Sequence, residues 1–294
     1  MNATQPMAAP GRGVLGPLTG LARWLRRDTR AALSLGFLLL LFVVALLAGV
    51  IAPHSPTEQD VNNALLPPRA EHLLGTHDLG RGVLSRLIHG APATLYASFL
   101  AVGIACLIGI PIGLLAGFLG GWVDDGIGRV VDTLLSFPAI VLAIGVTGAL
   151  GIGLTNGMVA IGIVFSPLLA RLVRAQTLIV KQELYVDAAR CFGAGNTRII
   201  LQHIVPNAIQ PVIVQITLLL AAALLAEASL SFLGLGVQPP QPSWGSMLAR
   251  AYNYLEIAPE QMYAPGLAIL LTALSFNALG ESLRVSLDPT MKHR

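Results

Sequence analysis

The sequence predicts an all-α membrane protein with six transmembrane helices, and three observations carry that prediction. The 294 residues are 54% apolar and only 11% charged, where a soluble domain carries about 25% charged residues, and mean hydropathy is +0.73. Six apolar stretches, each close to the ~20 residues a helix needs to cross a bilayer, are separated by polar punctuation. Of the 18 basic residues, only Arg69, Arg81, Arg86 and Arg250 fall on connections that this topology makes external, as the positive-inside rule requires when both termini are cytoplasmic.

The chain divides accordingly. Residues 1–30 read as a Gly/Pro-rich cytoplasmic tail, disordered to about Leu21 and ending in a basic cluster of Arg23, Arg26, Arg27 and Arg30 around Trp24. The first span is 31–52. A cleaved signal peptide is the rival reading, but the run exceeds a signal core and no A-x-A site follows it. Residues 53–92 form an external loop. Within it Leu79, Val83, Leu84, Leu87 and Ile88 recur at helical spacing opposite Arg81, Ser85, Arg86 and His89. That pattern predicts an amphipathic helix lying flat on the outer membrane surface, N-capped by Asp78, with Pro92 opening the next helix.

Residues 93–288 hold the other five spans, at 93–119, 130–150, 156–175, 208–232 and 266–286. In the second span Gly109, Gly113 and Gly117 repeat every four residues, which puts small residues on one face where another helix can come close. An external loop, 233–265, carries Pro239, Pro240 and Pro242. Its Trp244, Tyr252, Tyr254 and Tyr263 suit the headgroup level. Residues 289–294 form a cytoplasmic tail.

Between the fourth and fifth spans lies a polar island, 183–206, that cannot sit in hydrocarbon, because its charges and its glycine-broken backbone would be unsatisfied there. Glu183 to Phe192 reads as a short helix with Tyr185, Ala188, Ala189 and Phe192 on one face. Gly193 supplies the left-handed residue that ends it, and Asn196 or Thr197 can cap a second helix that stops at Pro206. A helix-turn-helix outside the membrane is a protein-docking shape.

The sequence also excludes chemistry. The two lysines, Lys181 and Lys292, follow Val180 and Met291, so no GK[ST] phosphate loop exists in the chain. HExxH and G-x-S-x-G are absent. His54, His72, His77 and His89 read as surface histidines without metal-site spacing, and Cys106 and Cys191 as unpaired. No bound cofactor, metal or nucleic acid is expected. Ionisable residues in the spans are few, and Asp132, Arg171, Arg174, Glu227 and Glu281 all fall near span ends, which speaks against a proton-driven carrier. Glu227, Ser229 and Asn277 are the polar span residues that could line a substrate path.

At the polar island the chain resembles the permease subunits of bacterial ABC importers, whose cytoplasmic loop carries EAA-x3-G-x9-I-x-LP. Asp187, Ala188 and Ala189 stand for EAA, Gly193 for the glycine, and Val205 with Pro206 for LP; His203 occupies the isoleucine place. The stretches LLGTHDLGRGVLSRLIHGA, EASLSFLGLGVQPPQPSWGSML and LRVSLDPTM are similar to the C-type permease of dipeptide and oligopeptide systems. The resemblance covers about residues 31–290 and implies a type I importer permease of the bacterial inner membrane. It implies a homologous B-type permease, ATPase subunits that use ATP and Mg, and an external substrate-binding protein as partners, with lipid around the complex. The chain itself would not be an enzyme. Tyr185, Asp187, Ala188, Ala189, Phe192 and Gly193 would couple to an ATPase, with Pro206 fixing the exit angle. The substrate would be a peptide. A nickel or other small-solute importer of the same branch, or a secondary transporter working without an ATPase, is the alternative.

Overall fold

A computed structural model describes residues 24–26 and 28–287. The stretch of the N-terminal tail expected to be disordered and the C-terminal tail 289–294 lie outside the described residues. Among those described there is no β-strand, and every long element is a helix.

Helix α1, Thr29–Leu46, starts where the Asp28 carboxylate accepts from the Arg30 and Ala31 amides at 3.0 and 3.2 Å, and after a one-residue break α2, Ala48–Ile51, completes the first span. Helix α3, Val83–Leu119, runs 37 residues through both Pro92 and Pro111. This corrects the expected interfacial helix: no boundary falls at Pro92, and Gly82, not Asp78, is the N-cap residue. A proline removes one i→i−4 hydrogen bond and can kink a helix without ending it.

Arg81 and Arg86 do not face headgroups either, since each is only 5% exposed. Chain from the two long loops covers that face. Arg86 donates to the carbonyls of Pro56 at 2.8 Å and Pro240 at 3.2 Å. Gly80 holds the 53–82 loop in its path, with φ +71 and the Asp60 backbone standing where a β-carbon would go.

Helix α3 makes its largest interface with α6, Leu154–Lys181. The glycine stripe is the reason. Added β-carbons would meet the Ser166 carbonyl oxygen at 2.6 Å from Gly109, the Ala170 carbonyl from Gly113, and the Arg174 carbonyl at 2.8 Å from Gly117. Gly162 of α6 reciprocates against Ala101 and Ile104 of α3. Two backbones brought this close gain dispersion and exclude lipid along the whole seam.

The third span differs from the continuous helix expected at 130–150. It is broken into α4, Gly121–Leu135, and α5, Ala139–Leu150, bent by 95°. Pro138 drives its predecessor out of the α region, and the Ser136 amide instead closes a turn on Asp132 and Thr133. Among the described residues five helices are long and apolar enough to cross a membrane, or six if the bent pair counts as one.

The remaining elements are α7, Leu184–Cys191; α8, Asn196–Ile199, which leads through a π-helical turn at Ile200–Ile204 into α9, Val205–Phe232; α10, Trp244–Tyr252; and α11, Glu260–Leu287. Helix α9 packs on α11, α6 and α3, while α1 lies against α11 and α3. The core is formed by Met158, Ile161, Leu169, Val173, Leu219, Leu224 and Phe276 among others.

The 233–265 loop is anchored. A Ser243–Ser246 capping box starts α10. Trp244, placed at the headgroup level by the sequence reading, is instead 2% exposed, with its indole N–H donating to the Leu87 carbonyl at 2.9 Å.

Candidate functional site

Helix α7 carries one inward residue and an outward surface. Val186 is fully buried, in a cluster with Phe118 of α3, Val180 of α6, Ile199, Ile204 and Ala208. Leu184, Tyr185 and Phe192 stand on the outside, Phe192 with 92% of its surface open. Of the expected coupling residues, Asp187 and Ala188 are exposed and Ala189 is half-buried. An eight-residue helix that leaves Leu184 and Tyr185 exposed, with the C-cap Phe192 beyond it, is an apolar surface patch of the kind that marks interaction sites.

Asp187 pairs with Arg190 at 3.3 Å, but both side chains are solvent-exposed, and such an i,i+3 pair contributes at most a few tenths of a kcal/mol. Tyr185 and His203 have ring centroids 6.2 Å apart. Partial desolvation, and then the Glu183 charge nearby, push the Tyr185 phenol above its ordinary pKa.

The turn after α7 is a Schellman motif. The Ala194 amide donates to Ala189 and the Gly193 amide to Arg190, at 3.0 and 2.9 Å. Gly193 has φ +80 with nothing within 4 Å of a built β-carbon, so its requirement is conformational and not steric.

Two sequence expectations fail next to it. Neither Asn196 nor Thr197 caps α8; Gly195 is the N-cap residue, without a side-chain bond. Pro206 does not end the second helix but sits in the first turn of α9. The chain passes it by widening to π geometry, the Val205 amide reaching back to Ile200, and a prolyl nitrogen with no hydrogen is tolerated at a helix start.

Sequence reasoning missed the anchorage. Lys181, last in α6, donates to the Phe118 carbonyl at 2.6 Å and so caps the C-terminal end of α3. Val186 therefore rests on the joined ends of α3 and α6 and on the start of α9. Val186 falls off the Tyr185–Ala188–Ala189–Phe192 stripe, an out-of-phase apolar residue that could have signalled the anchor.

At the same end of α3, a cavity of about 430 Å³ is lined by Asp124, Asp125, Arg129, Asp132, Arg171 and Arg174. Arg174 grips Asp124 with both Nε and a terminal nitrogen. Fifty residues separate this pair, beyond the reach of local pattern.

The three substrate-path candidates are not brought together as a lining. Glu227 is fully buried, its Oε1 accepting from Ser231 at 2.7 Å and Ser243 at 2.8 Å. It ties α9 to the start of α10. Ser229 and Asn277 are exposed on their helices, and the Ser229 hydroxyl donates to the Leu225 carbonyl at 2.9 Å. Among the described residues no group of His, Cys, Asp and Glu could hold a metal ion.

A bundle of membrane-length helices with a short, exposed helix set on the joined ends of its core defines a polytopic membrane protein. Comparison with known proteins specifies the class. Residues 109–293 match the model for binding-protein-dependent transport system inner membrane components, and residues 18–68 match the N-terminal transmembrane domain of oligopeptide transport permease C. The chain belongs to this family of ABC importer permeases.

It is 42% identical to the di/tripeptide transport system permease protein DppC of Pseudomonas aeruginosa, over 100% of this chain and 99% of that one. It is 40% identical to the dipeptide transport system permease protein DppC of Alkalihalophilus pseudofirmus, over 91% and 88% of the two chains. Identity to the glutathione transport system permease protein GsiD of Pectobacterium atrosepticum is 41%, over 92% and 90%. A chain of the inward-facing MetNI methionine ABC transporter superposes with a TM-score of 0.57 at 20% identity, over 69% of this chain and 97% of that one, a likeness of fold.

Proposed function

We propose that this chain is the C-type permease subunit of an ATP-driven peptide importer in the bacterial inner membrane, with both termini cytoplasmic. It pairs there with a homologous B-type permease, takes substrate from an external binding protein, and is driven by separate ATPase subunits that bind ATP and Mg. Helix α7 docks into an ATPase subunit through Tyr185, Asp187, Ala188, Ala189 and Phe192, with Gly193 ending the docking helix. ATPase closure moves α7, and because Val186 sits on the α3–α6–α9 junction the movement passes to all three helices. The observation that carries this reading is the contrast between Val186, buried within one short helix, and Phe192, open at its C-cap. Family membership and the dipeptide, di/tripeptide and glutathione systems named for the relatives support the substrate class.

Substrate moves by alternating access at the interface with the partner permease, a rigid-body mode that fits helices held by a close-packed seam. Glu227 is assigned to holding the 233–265 loop, and Ser229 and Asn277 remain the polar span residues to test for substrate contact. The test is uptake of labelled dipeptides into proteoliposomes. Flux should require this chain, its partner permease, the ATPases, the binding protein and ATP together. Flux from this chain alone, without ATP, would make it a secondary transporter instead.

A further inference from the structure

At the end of α3 away from α7, three guanidinium groups gather around a single carboxylate. Arg250 reaches both oxygens of Asp78 at 3.2 Å, and Tyr254 bonds the same group at 3.4 Å. Arg81 and Arg86, both nearly fully buried, have no carboxylate partner among the described residues. The cluster therefore holds three guanidinium groups against one acid.

Three of its nitrogens are buried without a partner among the described residues: Nε of Arg81, Nε of Arg86 and Nε2 of His77. His77 Nδ1 accepts from the Leu79 amide at 2.9 Å and lies 3.2 Å from the Asp78 carboxylate; with Nδ1 as the acceptor of the neutral ring, Nε2 carries the hydrogen. All three orphan atoms are then donors. Beside His77 and Arg86 is a cavity of about 20 Å³ lined by these two, Arg250 and Gln261, together with Val83, Met247 and Ala251. That is room for one water-sized body.

We propose that this cavity is a binding site for one small monovalent inorganic anion of chloride size, held by His77 and Arg86 in the field of Arg81 and Arg250. A water molecule would satisfy some donors but would bring two hydrogens of its own into a site already rich in donors, and would leave the excess positive charge buried and uncompensated. The narrow space favours a monatomic anion over the bulkier sulfate or phosphate. The occupied site would lock the 53–82 loop, the start of α3 and α10 into one body, because Arg86 also holds Pro56 and Pro240.

The test uses the purified chain in detergent, titrated with sodium chloride against sodium gluconate at constant ionic strength. Tm should rise saturably with chloride, and crystals soaked in bromide should show an anomalous peak between His77 and Arg86. Arg81→Gln removes a charge that donates no hydrogen bond from Nε. It should raise the half-saturating chloride concentration about tenfold while leaving Tm in gluconate equal to or above that of the unmodified chain. Equal Tm in the two salts, an unchanged chloride response in Arg81→Gln, or a water without anomalous signal at the site would each overturn the proposal.

Discussion

The Lys181 ammonium donates to the Phe118 carbonyl oxygen across 2.6 Å and lies 5.7 Å from the centre of the Phe118 ring, so the last residue of α6 is fastened to the last turn of α3. Val186 rests on this junction. A push on α7 therefore reaches two helices that already share a glycine seam. Lys181→Met should cost about 1–2 kcal/mol of stability, the worth of a partly buried charged hydrogen bond, and should lower the peptide moved per ATP hydrolysed, with Lys181→Arg recovering part of both. Paired uptake and hydrolysis assays in proteoliposomes check the ratio.

At Gly193 the strain is purely in the backbone. With φ +80 and open space around it, Gly193→Val should cost about 1–2 kcal/mol locally and abolish uptake while the complex still assembles. Gly193→Asn, which tolerates the left-handed region, should retain most uptake. Wild-type uptake by the valine variant would remove Gly193 from the coupling role.

The glycine seam makes a prediction with its own control. A β-carbon at Gly113 meets the Ala170 carbonyl and Val173, so Gly113→Ala should destabilise by about 1–3 kcal/mol. Gly103, on the same helix with nothing within 4 Å, should accept alanine at no cost. Thermal unfolding of the two variants in detergent separates packing from helix propensity.

How much of this was legible in the sequence follows the range of the interactions. The spans and the polar island were readable because hydropathy and the DAARCFG pattern are local. The seam was readable because a four-residue glycine period is local too. Arg81 and Arg86 were misread as headgroup-facing because their cover comes from Pro56 and from Pro240, which lies 154 residues away from Arg86. Trp244 was misplaced for the same reason, its partner being Leu87. Pro138 was visible, but inside an apolar run it did not announce a 95° bend. Glu227 stood between a pathway carboxylate and one bonded to a neighbouring helix because only Ser231, one turn on, leaves a periodic trace, while Ser243 lies sixteen residues away.

That last point is testable. If Glu227 holds the loop, Glu227→Ala and Ser243→Ala should each lower Tm, and the double variant should lower it by less than the sum, while KM for peptide stays unchanged. A changed KM at unchanged Tm would return Glu227 to the substrate path.

The arginine cluster sets a pH dependence. Burial first, and then the Arg86 charge, hold the His77 pKa down at about 4, with Arg250 and Arg81 adding to this and Asp78 opposing it. Unfolding frees the ring to titrate near 6.5, so between pH 4 and 6.5 the unfolded chain binds more protons and stability rises with pH. In gluconate, stability should fall by up to about 3 kcal/mol on acidification through this window, and His77→Gln should remove that slope.

The docking of α7 is the central claim, and proximity tests it most directly. In a Cys191→Ser background, Phe192→Cys should crosslink to an ATPase subunit of the assembled transporter and should change its yield when ATP is added. Leu73→Cys, in the 53–82 loop at the other end of α3, should not crosslink to that subunit. If Cys at 192 instead stays open to a bulky thiol reagent in the complete transporter and forms no crosslink with or without ATP, α7 does not receive the ATPase.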